Sequence, residues 1–204
     1  LRDLISNNLL DIKSLEQKEL GQIFKEENIV SDLEQSFLAA RGKDAIWYAK
    51  LLKNYSVETL DKNILKNLKN QDAKTKIILI KMLSPEILKI ESKNLLPVLD
   101  PKEPEVTIAI LKIFSQQGFE TIKNVDMTPY IQNSHPVVRG FAIACLYSQN
   151  QDQYSPQIDK WLTSEDMDKR QSGIVGAGLS GNRELIDPLL GILAEHNIDS
   201  IIPD

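Results

Sequence analysis

The chain is poor in the side chains that most often carry chemistry. It has one cysteine, Cys145, and two histidines, His135 and His196. A lone cysteine excludes an internal disulfide framework and fits a reducing compartment. Neither histidine has a cysteine or a second histidine at ligand spacing, so no metal site is expected. Cys145 falls on an apolar helical face and reads as a core thiol rather than a reactive one. No Ser–His–Asp arrangement stands out. Long apolar runs are missing too: Ile77-Ile78-Leu79-Ile80 is bounded by Lys76 and Lys81, far short of the roughly 18 residues that span a bilayer. Strand-type alternation is absent throughout. The chain starts at Leu1 with no basic segment followed by an apolar one, so nothing reads as a signal peptide, and the expectation is a piece excised from a longer protein.

What is present is ordinary in amount and regular in arrangement. The 204 residues are 26% charged and 42% apolar, a balance that argues against disorder. The net charge of −5 is unevenly spread. Residues 1–102 hold 17 Lys and Arg against 15 Asp and Glu, whereas residues 103–204 hold 7 against 14. The first half includes a basic stretch, Lys62, Lys66, Lys69, Lys74, Lys76 and Lys81. The acidic second half should repel phosphate backbones.

One pattern recurs about every 31 residues: an apolar helix, a short turn, a second helix. Inward positions of the second helices are read at Ala49, Leu79, Ile110, Ala142 and Gly173, at intervals of 30, 31, 32 and 31 residues. A further core position is read three residues on, at Leu52, Met82, Ile113, Cys145 and Gly176. Such periods signal stacked arrays in which no unit buries its own apolar face. The expected fold is all-α, an αα-superhelix of about five helix-pair units at 31–55, 56–84, 85–118, 119–149 and 150–181, with a partial sixth at 182–204. Residues 1–30 lack the register and read as N-terminal capping helices. First helices are expected near Ser31–Ala40 and from about Gln157 in the first and fifth units, and an irregular one after Phe119 in the fourth. Pro104 and Pro136 sit at helix starts, where a missing N–H costs nothing.

The segment Pro136-Val137-Val138-Arg139-Gly140-Phe141-Ala142-Ile143-Ala144-Cys145-Leu146 resembles the second helix of a HEAT repeat, and Arg170 repeats the register of Arg139 one interval later. The stretch from Gly178 to Leu190 resembles a junction between HEAT units. The resemblance covers about residues 31–195 and implies a right-handed superhelix. It also implies that Arg139 and Arg170 tie neighbouring units through acidic turn residues, for which Asp166 and Asp168 are at hand. Ile46, Thr75 or Lys76, and Thr107 are read at the arginine position of the first three units. The N-terminal 60 residues are similar in style to the HEAT extensions of bacterial nucleotide-transporter-like membrane proteins.

Gly176-Ala177-Gly178-Leu179-Ser180-Gly181 matches the dinucleotide fingerprint G-x-G-x-x-G, which needs a strand–turn–helix setting. The preceding Lys169-Arg170-Gln171-Ser172 makes a poor buried strand, and only 23 residues follow Gly181. The segment also falls on the repeat, so a helix is expected with small residues for close helix approach. No cofactor is expected.

The resemblance and the period together imply a non-catalytic scaffold or regulatory domain that binds a protein segment on its concave face, in cis within a larger protein or in trans. Trp47, Tyr48, Lys50 and Lys53 are the candidate contact residues, since with Ala49 and Leu52 inward the two lysines face solvent. The alternative is a HEAT-like enzyme, such as a glycosylase for alkylated DNA bases or a bilin lyase, for which the acidic second half is unfavourable. No nucleic acid and no membrane insertion are expected. A cytoplasmic location follows, as a soluble domain that can be attached to a membrane protein. Leu185, Ile186, Leu189, Leu190, Ile192 and Leu193 offer more apolar surface than one neighbouring helix covers, so weak self-association through residues 183–204 is expected.

Overall fold

Helical periodicity becomes helix, with no strand, across the described residues. The computed structural model describes residues 27–195, which contain eleven α-helices, four short 3-10 turns and no strand. In chain order the helices are α1 (Glu27–Ala39), α2 (Gly42–Asn54), α3 (Leu60–Asn67), α4 (Ala73–Ile80), α5 (Pro85–Glu91), α6 (Pro104–Ser115), α7 (Thr128–Ile131), α8 (Pro136–Gln149), α9 (Gln151–Leu162), α10 (Met167–Ser180) and α11 (Ile186–Glu195). The expected capping segment, 1–30, lies outside the described residues as far as residue 26, and α1 already begins at Glu27. The chain forms two compact bodies that divide between Leu83 and Ser84.

Polar side chains cap five of the helix starts. Asp72 caps α4 by accepting from the Thr75 N–H at 3.0 Å and the Thr75 hydroxyl at 2.7 Å. Ser84 caps α5, His135 Nδ1 caps α8 and Asp166 caps α10. Each satisfies N–H groups that a helix start otherwise leaves unpaired. Asn150 is both the C-terminal cap of α8 and the N-terminal cap of α9, where its side chain accepts from the Gln153 N–H at 3.3 Å. This cap moves the start of α9 to Gln151, ahead of the expected Gln157, and leaves Pro156 inside the helix. Pro156 is exposed, so the one helical hydrogen bond it forfeits is lost at a solvated position.

In the first body, α1 packs on α2, α1 on α3, and α2 on α4. First helices therefore meet first helices and second helices meet second helices. The second body repeats this among second helices, with α6 on α8 and α8 on α10. Side-chain hydrogen bonds follow the same spacing. In the first body Asn63 reaches Glu34, Asn67 reaches the Phe37 carbonyl, and Gln71 reaches the Ala40 carbonyl and the Gly42 N–H, across 29 to 31 residues. In the second, Gln117 reaches the Leu88 carbonyl, Tyr130 the Leu99 carbonyl, Asn133 the Pro101 carbonyl and Arg139 the Ser172 hydroxyl, across 29 to 33 residues.

Burial regularises the repeat. The inward positions are Ala49, Ile80, Leu111, Ala142 and Gly173, each 31 residues after the last, and all are buried. Leu52, Leu83, Phe114, Cys145 and Gly176 follow three residues later and are also buried. Leu79 and Ile110 are buried as expected, but Met82 and Ile113 are only half-buried, so the register of those two units moves by one residue. The arginine position then falls on Ile46, Ile77 and Ile108 in the first three units, rather than on Thr75 or Lys76 and Thr107.

Glycines bring the last second helices close. A Cβ on Gly140 would lie 2.5 Å from Val175 Cβ, and one on Gly176 2.5 Å from Ile143 Cγ2. On Gly173 it would meet main chain, Leu162 N at 2.7 Å and the Trp161 carbonyl carbon at 2.9 Å. The segment Gly176–Ser180 is the end of α10, and Gly181 stops that helix with φ +69°. The glycine pattern thus serves helix contact and a left-handed helix end, and no strand precedes it.

Candidate protein-binding face

The face begins with the geometry of α2. Ala45, Ala49 and Leu52 are its buried residues, spaced i, i+4, i+7. Lys43, Trp47 and Lys50 have the same spacing, two residues earlier, which turns them about 200° around the helix. Lys43 and Lys50 are exposed and Trp47 is half-buried. The neighbouring helix α4 continues the arrangement 31 residues on: Lys74, Ile78 and the exposed Lys81 that follows its last turn. Ile78 is 36% exposed, which marks it among the few large apolar side chains left open to water. Since α2 and α4 pack together, the outward residues of the two helices form one surface, apolar at Trp47 and Ile78 and basic at either end.

The four candidate contact residues are all found on α2. Trp47 and Tyr48 meet edge to face, with ring centroids 4.8 Å apart and planes at 77°, a favourable aromatic geometry that holds both rings. Lys50 and Lys53 are exposed. Lys53 Nζ lies 3.4 Å from the Met82 carbonyl, linking the end of α2 to the end of α4. The residues that the sequence reading did not assign to this face are Lys43, Ile78 and the α4 lysines. The basic stretch contained Lys74 and Lys81, but it ran together residues of three settings. Lys62 and Lys66 lie on α3, Lys69 on the turn after it, and Lys76 is 9% exposed. Only the 31-residue register sorts them.

Two carboxylates stand near the basic end at Lys43 and Lys74. Asp44 is in the first turn of α2 and Asp72 caps α4. The side-chain and main-chain bonds from Thr75 hold the Asp72 carboxyl below the usual carboxylate range.

Arg139 and Arg170 are placed differently from the implied pairing with acids. Arg139 donates from Nη1 to the Asn133 and Ser134 carbonyls, both at 2.9 Å, and from Nε to the Ser172 hydroxyl at 3.0 Å. Arg170 donates from Nε to the Ser164 carbonyl at 2.9 Å. The carbonyls at the end of each preceding segment lack helical partners, and the guanidinium satisfies them. The Asp166 carboxylate is engaged at its own helix start, accepting from the Asp168 and Lys169 N–H groups at 3.0 and 3.2 Å, with Lys169 Nζ at 3.3 Å. Asp168 contributes its carbonyl, which accepts from Ser172. Arg139 therefore spans a repeat through a serine, and Arg170 braces its own turn.

Elsewhere the chemistry is muted. Burial pushes the Cys145 thiol up to about 11, so it stays protonated at neutral pH. Among the described residues no three His, Cys, Asp or Glu side chains gather in metal-binding geometry, and no helix is long and apolar enough to cross a membrane. No family model matches the chain, and no curated protein and no solved structure matches it either.

Proposed function

We propose that this chain is a HEAT-like array that works as a non-catalytic interaction module, binding a protein segment on the outward face of its second helices. The observation that carries this reading is the agreement between the sequence period and the hydrogen bonds, which join residues 29 to 31 apart in the first body and 29 to 33 apart in the second. Stacks of this kind present long surfaces made of equivalent positions, and the α2–α4 face is such a surface. A cytoplasmic module, free or attached to a membrane protein, fits the same reading.

Two measurements test it. Small-angle scattering should give a radius of gyration clearly above the roughly 17 Å of a compact chain of this length; a compact particle would remove the superhelix. Panning a random peptide library against the chain, with amide shift mapping of enriched peptides, should locate binding on second helices. Failure to enrich any peptide would remove the scaffold reading.

Self-association through the last helix belongs to the same proposal. Leu185 is buried, and Leu189 and Ile192 pack on the cluster of Ile143, Tyr147, Ile158, Trp161, Leu162 and Ala177. Ile186 and Leu190 remain 49% and 56% exposed. Sedimentation across concentration should show weak association that an Ile186→Ser/Leu190→Ser variant lacks.

A further inference from the structure

We infer that the α2–α4 face docks an acidic protein segment, which places an apolar side chain against Trp47 and Ile78 and its carboxylates against Lys50, Lys53 and Lys81. The inference rests on the scaffold reading and names the chemistry of its partner.

Two observations select this occupant. The outward register reads lysine, apolar, lysine twice: Lys43, Trp47 and Lys50 on α2, then Lys74 and Ile78 on α4 with Lys81 just after it. An apolar centre within a charged rim is the usual anatomy of a protein contact, in which the centre supplies most of the affinity and the rim selects the partner. The two ends of the face also differ. Asp44 and Asp72 accompany Lys43 and Lys74, whereas Lys50, Lys53 and Lys81 gather at the other end with no carboxylate on α2 or α4 beside them. The segment is therefore held in one direction, with its acidic residues at the Lys50–Lys81 end.

A nucleic acid fits the same lysines less well. Its backbone needs a continuous basic track, and single strands need stacking surfaces. Here one end carries two acids and the α4 apolar position is an isoleucine, which has no ring to stack on.

The test uses the full chain and a fluorescein-labelled synthetic peptide with leucines at i, i+4 spacing flanked on one side by glutamates. Its controls are the same peptide with lysine for glutamate and labelled oligothymidylate. Anisotropy should show the acidic peptide binding, weaker as salt rises. The Lys50→Glu/Lys81→Glu variant, changed only at exposed positions, should bind it at least about tenfold less well and accept the lysine peptide instead. Ile78→Ser should weaken both peptides. Amide shifts of the parent should concentrate on α2 and α4. Binding that is unchanged in the double variant, or shifts confined to other helices, overturns this inference and leaves the scaffold reading in place. Oligothymidylate binding more tightly than the acidic peptide overturns it in favour of nucleic acid. If this peptide does not bind while library peptides do, the acidic partner is wrong; if none binds, both readings fall.

Discussion

Both bodies join successive helix pairs through polar side chains, but the second adds a joint of another material, the glycine contact between α8 and α10. Before Leu83 the joint is polar and buried: Asn63, Asn67 and Gln71 are at most 7% exposed and run along one side of α3 and the turn after it. Gln71 alone donates to the Ala40 carbonyl and to Asn67 Oδ1 and accepts from the Gly42 N–H, at 2.9, 2.7 and 2.9 Å. After Ser84, α8 and α10 meet through glycine, with Gly140 and Gly176 each facing a branched side chain of the opposite helix. Amide bonds fix a register by direction, since a slip leaves buried groups unpaired. Glycine contacts fix it by shape, since a slip drives side chains into main chain. The α1–α3 joint should accordingly fail by losing partners and the α8–α10 joint by losing room.

The largest effect should come from removing room. Gly173→Ala should destabilise the second body by about 3 kcal/mol, because its Cβ meets main-chain atoms that cannot swing aside. Thermal melting of variant and parent checks this; an unchanged midpoint would mean that α9 and α10 separate without penalty. Next comes loss of a partner. Asn67→Leu should cost roughly 2 kcal/mol, since the Phe37 carbonyl loses its side-chain donor and the buried Gln71 amide loses an acceptor, both at 2.7 Å. Denaturant titration would contradict the polar joint if this variant matched the parent.

Asp72→Ala should cost about 1 kcal/mol through loss of the α4 cap. Because its folded carboxyl is held below the ordinary range, this contribution is complete above the unfolded value near ~4. It is lost as pH falls through the folded value. The variant and the parent should therefore differ at neutral pH and converge on acidification; a gap that widens in acid would contradict the assignment. The smallest effect has the opposite sign. Gly178 also lies in α10, but nothing stands within 4 Å of where its Cβ would be. Gly178→Ala should stabilise by up to about 1 kcal/mol. If Gly173→Ala and Gly178→Ala behave alike, helix propensity rather than close approach governs α10.

The helical architecture and the spacing of its elements were legible because a 31-residue period survives large changes in composition. The register within units was not, and the reason is local. Ile77-Ile78-Leu79-Ile80 and Ile108-Ala109-Ile110-Leu111 are apolar on all sides, so periodicity alone leaves the inward position open by one residue. Leu79 and Ile80 are both buried, as are Ile110 and Leu111, and the buried Leu83 and Phe114 beside half-buried Met82 and Ile113 favour the later register. That shift turns the arginine position of the second and third units into isoleucine, as in the first, and brings Trp47 into line with Ile78. The four α2 contact candidates could be read from amphipathicity, whereas their α4 counterparts needed the corrected register. The partners of Arg139 and Arg170 were not legible, since carbonyls left over at a segment end carry no mark in the sequence. Gly140 gave a signal that was available: a glycine inside a long apolar helix sacrifices stability, and close contact is the ordinary return.

The junction at Asn150 carries a mechanical consequence. Because one residue ends α8 and starts α9, the relative orientation of the two helices depends on a single pair of dihedrals, φ −152° and ψ 92°. A longer connection would spread any reorientation over several residues and let either helix move first. Here no slack exists to absorb it, so α8 and α9 turn as one lever, and a residue inserted beside Asn150 would swing the whole of α9 rather than lengthen a loop.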